Sequence, residues 1–338
     1  MHRITKLAVS LGALAVGAAA ACSKSPSGPS SSNPSTVVQG QTVSAIDGGA
    51  AANVTVRIGS RVPVTTDTNG LFEVEVGGPG TFDATIRGTG IVERQTAVVN
   101  PSQGRTRLSL IPASFDLTAF DEMARTSSAR LIRWTSRPAL VVLATVMEYR
   151  SGVGSEYAAS SEQLSDEEVN QMVAHLTEGL ALLTGNTFAS FESVEVERPA
   201  AGTRVNVARD GRIVVGRYNG IVSFAHTIGY GQWQELSNGT VVAGSMYLDR
   251  DFDKDDARRR LLRMHELGHA LGYLHVTSRT SIMNPSVGPE PTDFDRAAAT
   301  ITFQRLPGNR SPDIDPTVSG GVFTVSTGVG EWKTVVCR

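Results

Sequence analysis

The stretch that decides the fold is His265-Glu266-Leu267-Gly268-His269-Ala270-Leu271-Gly272-Tyr273-Leu274-His275. Because an α-helix turns once in about 3.6 residues, His265 and His269 project from the same face, one turn apart. Gly272 can adopt the positive φ that ends a helix, and the resulting turn can bring His275 back towards the pair. Three imidazoles leave the fourth tetrahedral position of Zn²⁺ open, which is typical of catalytic zinc sites.

Glu266 lies between the first two histidines, and its side chain is long enough to reach a water on the metal. Zinc lowers the pKa of such a water to about 7, and a carboxylate can then take its proton. The sequence therefore predicts zinc ligation by His265, His269 and His275, with Glu266 as the catalytic base.

The eleven residues match the zinc motif of the metzincin metallopeptidases without a gap, and the chain resembles the matrixin-like group of that family. Ser281-Ile282-Met283-Asn284-Pro285 is similar to the Met-turn that follows the third histidine in these enzymes. The resemblance implies that Met283 forms an apolar floor beneath the metal and does not ligate it. Many members carry tyrosine after that methionine, whereas this chain has Asn284.

The matrixin cysteine switch, a pro-segment thiolate that caps the zinc, has no counterpart here. No cysteine lies between Cys22 and Cys337. We therefore expect activity to be controlled in some other way.

A zinc motif alone does not prove catalysis, because fold and motif can outlive activity. The main alternative is a surface-anchored binding or adhesion protein with a vestigial zinc site. A structural envelope lipoprotein is a third possibility, and a chance pairing of histidines at helical spacing is the simplest one. Glu266 distinguishes these alternatives from an enzyme, since a purely structural zinc site does not need it.

Residues 1–21 have the pattern of an export signal: a basic start followed by an apolar run too short to span a bilayer comfortably. The run ends in Ala19-Ala20-Ala21-Cys22, which resembles a bacterial lipobox with alanine in place of the usual leucine. We expect lipidation of Cys22 and a place in the bacterial cell envelope, facing outward. Ordinary cleavage before an incidental Cys22 would instead give a secreted, soluble protein.

Residues 22–36 are rich in Ser, Pro and Gly and indicate a linker. Residues 37–111 alternate apolar and polar side chains between turn clusters, which predicts a small all-β sandwich. The run from Thr66 to Val74 resembles the carboxypeptidase regulatory-like domain. That resemblance implies a spacer or interaction module without chemistry of its own.

Residues 113–310 have a mixed α/β (α+β) pattern that resembles the metzincin plan of a twisted sheet and an active-site helix. Ala139–Met147 is an apolar run typical of a buried strand. Ser165 with Glu168 and Thr292 with Asp295 predict capped helices, and the active-site helix is expected from about residue 255. Strands are also expected near 188–196, 204–208, 212–217 and 240–248. Residues 311–338 are a C-terminal tail that either adds a strand or stays separate from the fold.

Several charged residues precede the zinc motif, and the sequence leaves their role open. Alternating aspartates could bind Ca²⁺ or could cap a helix N-terminus; they are Asp249, Asp251, Asp253, Asp255 and Asp256. An arginine group is interpreted as a solvated helix face; it comprises Arg258, Arg259, Arg260 and Arg263. His175 and His226 are interpreted as structural.

The chain of 338 residues has a net charge of −2, so an excess of basic residues for nucleic-acid binding is absent. We expect an exported, lipid-anchored, zinc-dependent endopeptidase whose protein or peptide substrate lies extended along an edge strand.

Overall fold

The computed structural model is an α+β protein and describes residues 36–100, 104–125, 129–150, 156–219, 227–316, 330 and 332–337. The expected signal, Cys22 and nearly all of the linker lie outside the described residues. The helices are α1 (Leu117–Ala124), α2 (Asp166–Leu183), α3 (Arg250–Asp255), α4 (Arg259–Leu271) and α5 (Asp293–Gln304). The strands are β1 (Val37–Ser44), β2 (Thr55–Ile58), β3 (Val64–Thr65), β4 (Leu71–Glu75), β5 (Gly80–Arg87), β6 (Arg94–Asn100), β7 (Thr106–Leu110), β8 (Arg133–Trp134), β9 (Ala139–Arg150), β10 (Glu156–Gln163), β11 (Val194–Glu197), β12 (Arg212–Asn219), β13 (Gly229–Glu235), β14 (Thr240–Asp249) and β15 (Trp332–Cys337).

The first seven strands form two small sheets, ordered β4-β1-β7 and β3-β2-β5-β6. Alternate residues from both sheets meet in one hydrophobic cluster that includes Val56, Val74, Ile86 and Leu110. This cluster is separate from the larger core of the chain. Period-two alternation therefore buries one face of each strand here.

The large sheet has the order β10-β9-β12-β14-β13-β15, with β11 beside β9 and β8 beside β14. Strands β9, β12 and β14 are parallel, whereas β13 and β15 run antiparallel to their neighbours. The predicted buried strand is confirmed within β9. Leu140 and Val142 pack in the main core, while Val141 and Leu143 pack in a second cluster on the other face. Apolar side chains on both faces explain why its sequence does not alternate.

Helices α2 and α5 begin where their capping boxes predict. The Ser165 hydroxyl accepts a hydrogen bond from the Glu168 amide, and the Glu168 carboxylate accepts one from the Ser165 amide; Thr292 and Asp295 pair in the same way. Helices α2 and α4 pack together, and α4 lies across β13 and β14. The histidine motif of α4 therefore lies between α2 and the large sheet.

Several predicted element boundaries were wrong. The helix expected from about residue 255 begins at Arg259 as α4, and a separate short helix, α3, ends before it at Asp255. No strand covers residues 204–208, where Arg204 forms only an isolated bridge to Ala158. Of the strand expected near 188–196, only the part from Val194 is extended.

The arginine group is not a uniformly solvated face, which corrects the expectation for Arg263. That side chain is fully buried, and its Nε and Nη2 donate to Asp253 at 2.6 and 2.9 Å. Arg217 donates to the same carboxylate at 2.7 Å, and His175 lies 3.1 Å from Arg263. The interpretation of His175 as a structural residue fits this arrangement, whereas His226 lies outside the described residues.

The segment assigned to a C-terminal tail is integrated into the fold at both of its described ends. Asp313 and Asp315 exchange backbone hydrogen bonds with Gln95 of the N-terminal sheets at 2.9 and 2.8 Å. Arg94 forms a buried ion pair with Asp315. Residues 332–337 form β15, so of the two possibilities for this segment the added strand is the one observed.

Candidate metal centre

Glycines in the large sheet allow α4 to approach it closely. A Cβ at Gly231 would overlap the Cβ of His269 and lie 2.6 Å from the carbonyl oxygen of Glu266. A Cβ at Gly244 would lie 2.9 Å from the Ala270 oxygen. Only glycine leaves room for the helix at these positions, so β13 and β14 fix the depth at which His269 sits.

The turn after α4 is the one that the motif predicts. Gly272 has φ of +106°, and the amides of Gly272 and Tyr273 donate back to the last helical turn. The Tyr273 hydroxyl donates to the Leu183 oxygen at 2.7 Å, and the Leu274 amide donates to Met123 at 2.8 Å. The loop is therefore anchored to α2 and α1, and it returns His275 to the two helical histidines.

Backbone carbonyls orient two of the three imidazoles. Nδ1 of His265 donates to the Ile282 oxygen at 2.7 Å, and Nδ1 of His269 donates to the Tyr273 oxygen at 2.7 Å. A carbonyl can only accept, so each proton is on Nδ1 and each Nε2 presents a bare lone pair. Burial lowers the pKa of His265 to about 4 and that of His269 well below its usual range. The rings are therefore neutral, as a metal ligand must be.

The three Nε2 atoms converge at the spacing of a metal tetrahedron. Nε2 of His269 lies 3.0 Å from that of His265 and 3.2 Å from that of His275. Zn–N bonds of about 2.0–2.1 Å at tetrahedral angles place nitrogen ligands about 3.3 Å apart. Lone pairs facing one another at this distance repel unless a cation lies between them. The donor set and its geometry therefore fit Zn²⁺.

Met283 and Asn284 both support this cluster from the turn that follows it. Met283 is fully buried, and its sulfur would overlap any Cβ placed on Gly268, so it packs directly beneath α4. Asn284 donates through Nδ2 to the oxygens of Val276 and Arg279 at 2.7 and 2.8 Å. Asn284 thus stabilises the turn through two side-chain hydrogen bonds to backbone oxygens.

Glu266 is fully buried on α4, beside the histidines. Its Oε1 lies 2.6 Å from the position that a Cβ on Gly229 would take. Because Gly229 of β13 has no side chain, the Glu266 carboxylate has room there. The Cys337 thiol is its neighbour, yet neither carboxylate oxygen has a well-formed hydrogen bond within the described part of the chain. Burial raises the pKa of Glu266 well above its usual range, and a nearby divalent cation would oppose that rise.

Cys337 is a site residue that the sequence reasoning missed. This free, fully buried cysteine has its Sγ 3.4 Å from Nε2 of His269 and 3.6 Å from Nε2 of His275. The four possible ligand atoms of His265, His269, His275 and Cys337 all lie within 4.8 Å of one another. The sequence offers one signal for it, a second cysteine in a chain with an export-like N-terminus, and that signal does not show which strand Cys337 joins.

The aspartates before α4 meet arginines and helix amides. Asp249 caps α3 by accepting from the Phe252 amide at 2.9 Å, and Asp253 lies between Arg217 and Arg263. Within the described ranges, the His/Cys group is the only cluster of three or more candidate metal ligands. The capping interpretation therefore fits Asp249, whereas Asp253 is neutralised by two arginines.

Comparison with known proteins found no family model that matches the chain and no curated protein similar to it. The case for any function therefore rests on the residues and their geometry.

Proposed function

We propose that this protein is a zinc-dependent endopeptidase of the metzincin, matrixin-like type. The observation that carries the proposal is the pairing of a preoriented three-histidine cluster with Glu266, a buried carboxylate whose polar neighbour is the Cys337 thiol and whose oxygens have no well-formed hydrogen bond among the described residues. Buried carboxylates are normally paired or hydrogen bonded, since leaving one unsatisfied costs several kcal/mol. An unpaired carboxylate beside a metal site supports a chemical role.

When bound, Zn²⁺ would act as a Lewis acid that polarises a peptide carbonyl and makes water acidic near neutral pH. His265, His269 and His275 would hold it through Nε2. Glu266 would take a proton from the attacking water and pass it to the leaving amine. Strand β13 would align an extended protein or peptide substrate by backbone hydrogen bonds along the edge that faces away from β14, the edge that β15 occupies in this structure.

One observation favours the binding-protein alternative. Cys337 offers a fourth donor, and four protein ligands are typical of structural zinc sites. A surface-anchored binding protein with a vestigial site would need no free coordination position. It would also have no use for Glu266, which is why we prefer the enzyme.

The test is hydrolysis of a quenched peptide library by the zinc-loaded protein, with and without chelator. Wild type and Cys337→Ala are each compared with the same protein carrying Glu266→Ala. We expect Glu266→Ala to keep zinc and to lose about 10²–10⁴-fold or more in turnover, because only the proton transfer is removed. If neither wild type nor Cys337→Ala cleaves any peptide, the binding protein is the better proposal. Equal cleavage with and without Glu266 would remove that residue from the mechanism.

We also propose export and lipidation at Cys22, with the N-terminal sheets as a carboxypeptidase regulatory-like spacer between membrane and catalytic part. No helix of the described residues has the length and apolarity needed to cross a membrane. Cys22→Ala should shift the protein from the detergent phase to the aqueous phase. A free amino terminus at Cys22 on protein from the medium would favour ordinary secretion.

A further inference from the structure

We propose that β15 closes the metal site of this chain: it pairs along the substrate edge of β13, and its Cys337 thiolate is the fourth metal ligand. The inference rests on the proposed metal site and deepens it. While β15 is docked, it keeps the metal site of its own chain inactive.

The first support is the position of β15 in the sheet. It pairs antiparallel with β13 from Gly229 opposite Cys337 to Gln234 opposite Trp332. Without β15, β13 would be the outermost strand on that side of the sheet. An incoming extended peptide would need the same backbone hydrogen-bonding groups. The chain's own strand therefore occupies the place that a substrate strand would take.

The second support is the geometry of Cys337 itself. Its Sγ lies 3.4 and 3.6 Å from Nε2 of His269 and His275. A Zn–S bond of about 2.3 Å and a Zn–N bond of about 2.05 Å at a tetrahedral angle place the two ligand atoms about 3.6 Å apart. The distances from the thiol to these two imidazoles therefore match those expected for a fourth metal ligand, and all four possible ligand atoms lie within 4.8 Å of one another.

The third support is the alignment with Glu266. Gly229 is the register partner of Cys337, and the space that a Gly229 side chain would fill holds Oε1 of Glu266. Ligation of a divalent cation by the thiol would release the thiol proton to solvent. The group proposed as base would therefore be covered while the strand is docked.

The strand is built to be displaced as well as docked. Of its six residues only Cys337 is buried, while Lys333, Thr334 and Val336 are exposed. Besides the backbone ladder, the Gln232 amide donates to the Thr334 hydroxyl at 2.9 Å, and the partly buried Val335 packs against the main core. Elements with little buried apolar surface open at low free-energy cost. This separates β15 from a permanent structural ligand, which would come from the packed core.

The experiment uses full-length protein in a Cys22→Ala background, so that Cys337 is the only thiol, and loads it with Co²⁺ in place of Zn²⁺. We expect a sulfur-to-cobalt charge-transfer absorption that disappears in Cys337→Ala and persists in Val336→Ala, the exposed neighbour on the same strand. We also expect acetohydroxamate to alter the cobalt spectrum of Cys337→Ala but not that of the parent or Val336→Ala. Absence of the sulfur band in the parent protein, or equal binding of acetohydroxamate by all three, would overturn the proposal.

Peptide hydrolysis by the zinc-loaded proteins is a separate readout. If the displaced form of the parent makes up about 0.1–10% of molecules, Cys337→Ala should cleave about 10- to 1000-fold faster. A sulfur band and selective acetohydroxamate binding, with no hydrolysis by either protein, would support the closed site and refute the proposed peptidase function. Equal hydrolysis by both would show that β15 does not restrain the site and would overturn the proposal.

Discussion

Helix α4 contributes side chains to two largely buried polar clusters, and the polar groups of the two clusters are satisfied in opposite ways. The charge cluster comprises Glu168, Arg217, Asp253 and Arg263, and the metal cluster comprises His265, His269, His275 and Cys337. In the charge cluster each Asp253 oxygen receives an arginine donor, at 2.6 Å on Oδ1 and at 2.7 and 2.9 Å on Oδ2. In the metal cluster the imidazole lone pairs face one another at 3.0 and 3.2 Å.

The difference separates a structural polar group from a binding site. Positive and negative charges satisfy each other in the charge cluster, so the folded chain needs nothing from outside. In the metal cluster the weak donor of the Cys337 thiol lies near the lone pairs of two imidazoles, and a cation between the ligand atoms would satisfy the lone pairs of all three. A substitution in one cluster should therefore leave the other cluster unchanged.

The largest stability effect is expected from Asp253→Asn. Removing one partner of a buried ion pair leaves the other charge unpaired and typically costs about 3–5 kcal/mol. Chemical denaturation should report that loss in the free energy of unfolding, while zinc per folded molecule stays at the wild-type value. Asp251→Asn is the control, since Asp251 is 78% exposed and should change stability little. Loss of zinc without loss of stability would show that the clusters are not separate.

The metal cluster should stabilise the fold only through its cation. With free Zn²⁺ at about 100 times its Kd, linkage predicts about 2.7 kcal/mol of added stability, which chelation removes. His269→Ala should abolish this zinc-dependent increment, whereas Asp253→Asn should keep it despite a lower starting stability. Thermal unfolding of each variant with zinc and with chelator measures the increment. An undiminished increment in His269→Ala would place the metal elsewhere.

Local sequence patterns predict the three histidines of the metal cluster and the start of α2, but they do not predict the charge cluster. The spacing of His265 and His269 and the turn at Gly272 follow from helix geometry, and the Ser165 capping box sets the start of α2. The sequence pattern instead predicts a solvated Arg263. It does so because the partner of this arginine, Asp253, lies on a separate short helix. Helical periodicity does not show that this helix folds back onto the arginine.

The missed features depend on strand pairing between distant parts of the chain. Cys337 reaches the metal cluster because β15 pairs with β13, and this pairing joins residues about a hundred positions apart. β13 itself escaped prediction because Gly229 and Gly231, which make room for α4, are typical of loops in a sequence. The glycines become informative only once the helix that they accommodate is known.

Gly231→Ala tests how tightly the sheet positions the metal cluster. At a strand glycine free of contacts, substitution by alanine would raise the free energy of unfolding by about 0.4–1 kcal/mol, because the unfolded chain loses entropy. At Gly231 the new methyl would overlap His269 and the backbone of Glu266, so we expect a loss of about 1–3 kcal/mol and weaker zinc binding. Gly288→Ala is the control, since its Cβ would meet only the Ser286 oxygen at 3.7 Å. Stabilisation by Gly231→Ala would contradict the close approach of α4.

The smallest expected effect is the acid response of the charge cluster. Partial burial would raise the pKa of Glu168, but hydrogen bonds from Arg217 and from the Ser165 amide outweigh it and lower that pKa to about 2. The folded pKa is therefore below the ordinary value of 4.5. The stabilisation is present above about pH 4.5 and is lost as the pH falls towards 2.

Glu168→Gln isolates this charge, because glutamine can still complete the capping box with Ser165. The Glu168 side chain is 32% exposed, so solvent screening limits the expected loss to roughly 1 kcal/mol at neutral pH. The difference in unfolding free energy between wild type and variant should shrink through this pH window and vanish near pH 2. Denaturation is measured with chelator present, so that protonation of the metal cluster affects both proteins equally. If the difference in unfolding free energy stays constant with pH, the contact between Glu168 and Arg217 stabilises the fold through packing and not through the Glu168 charge.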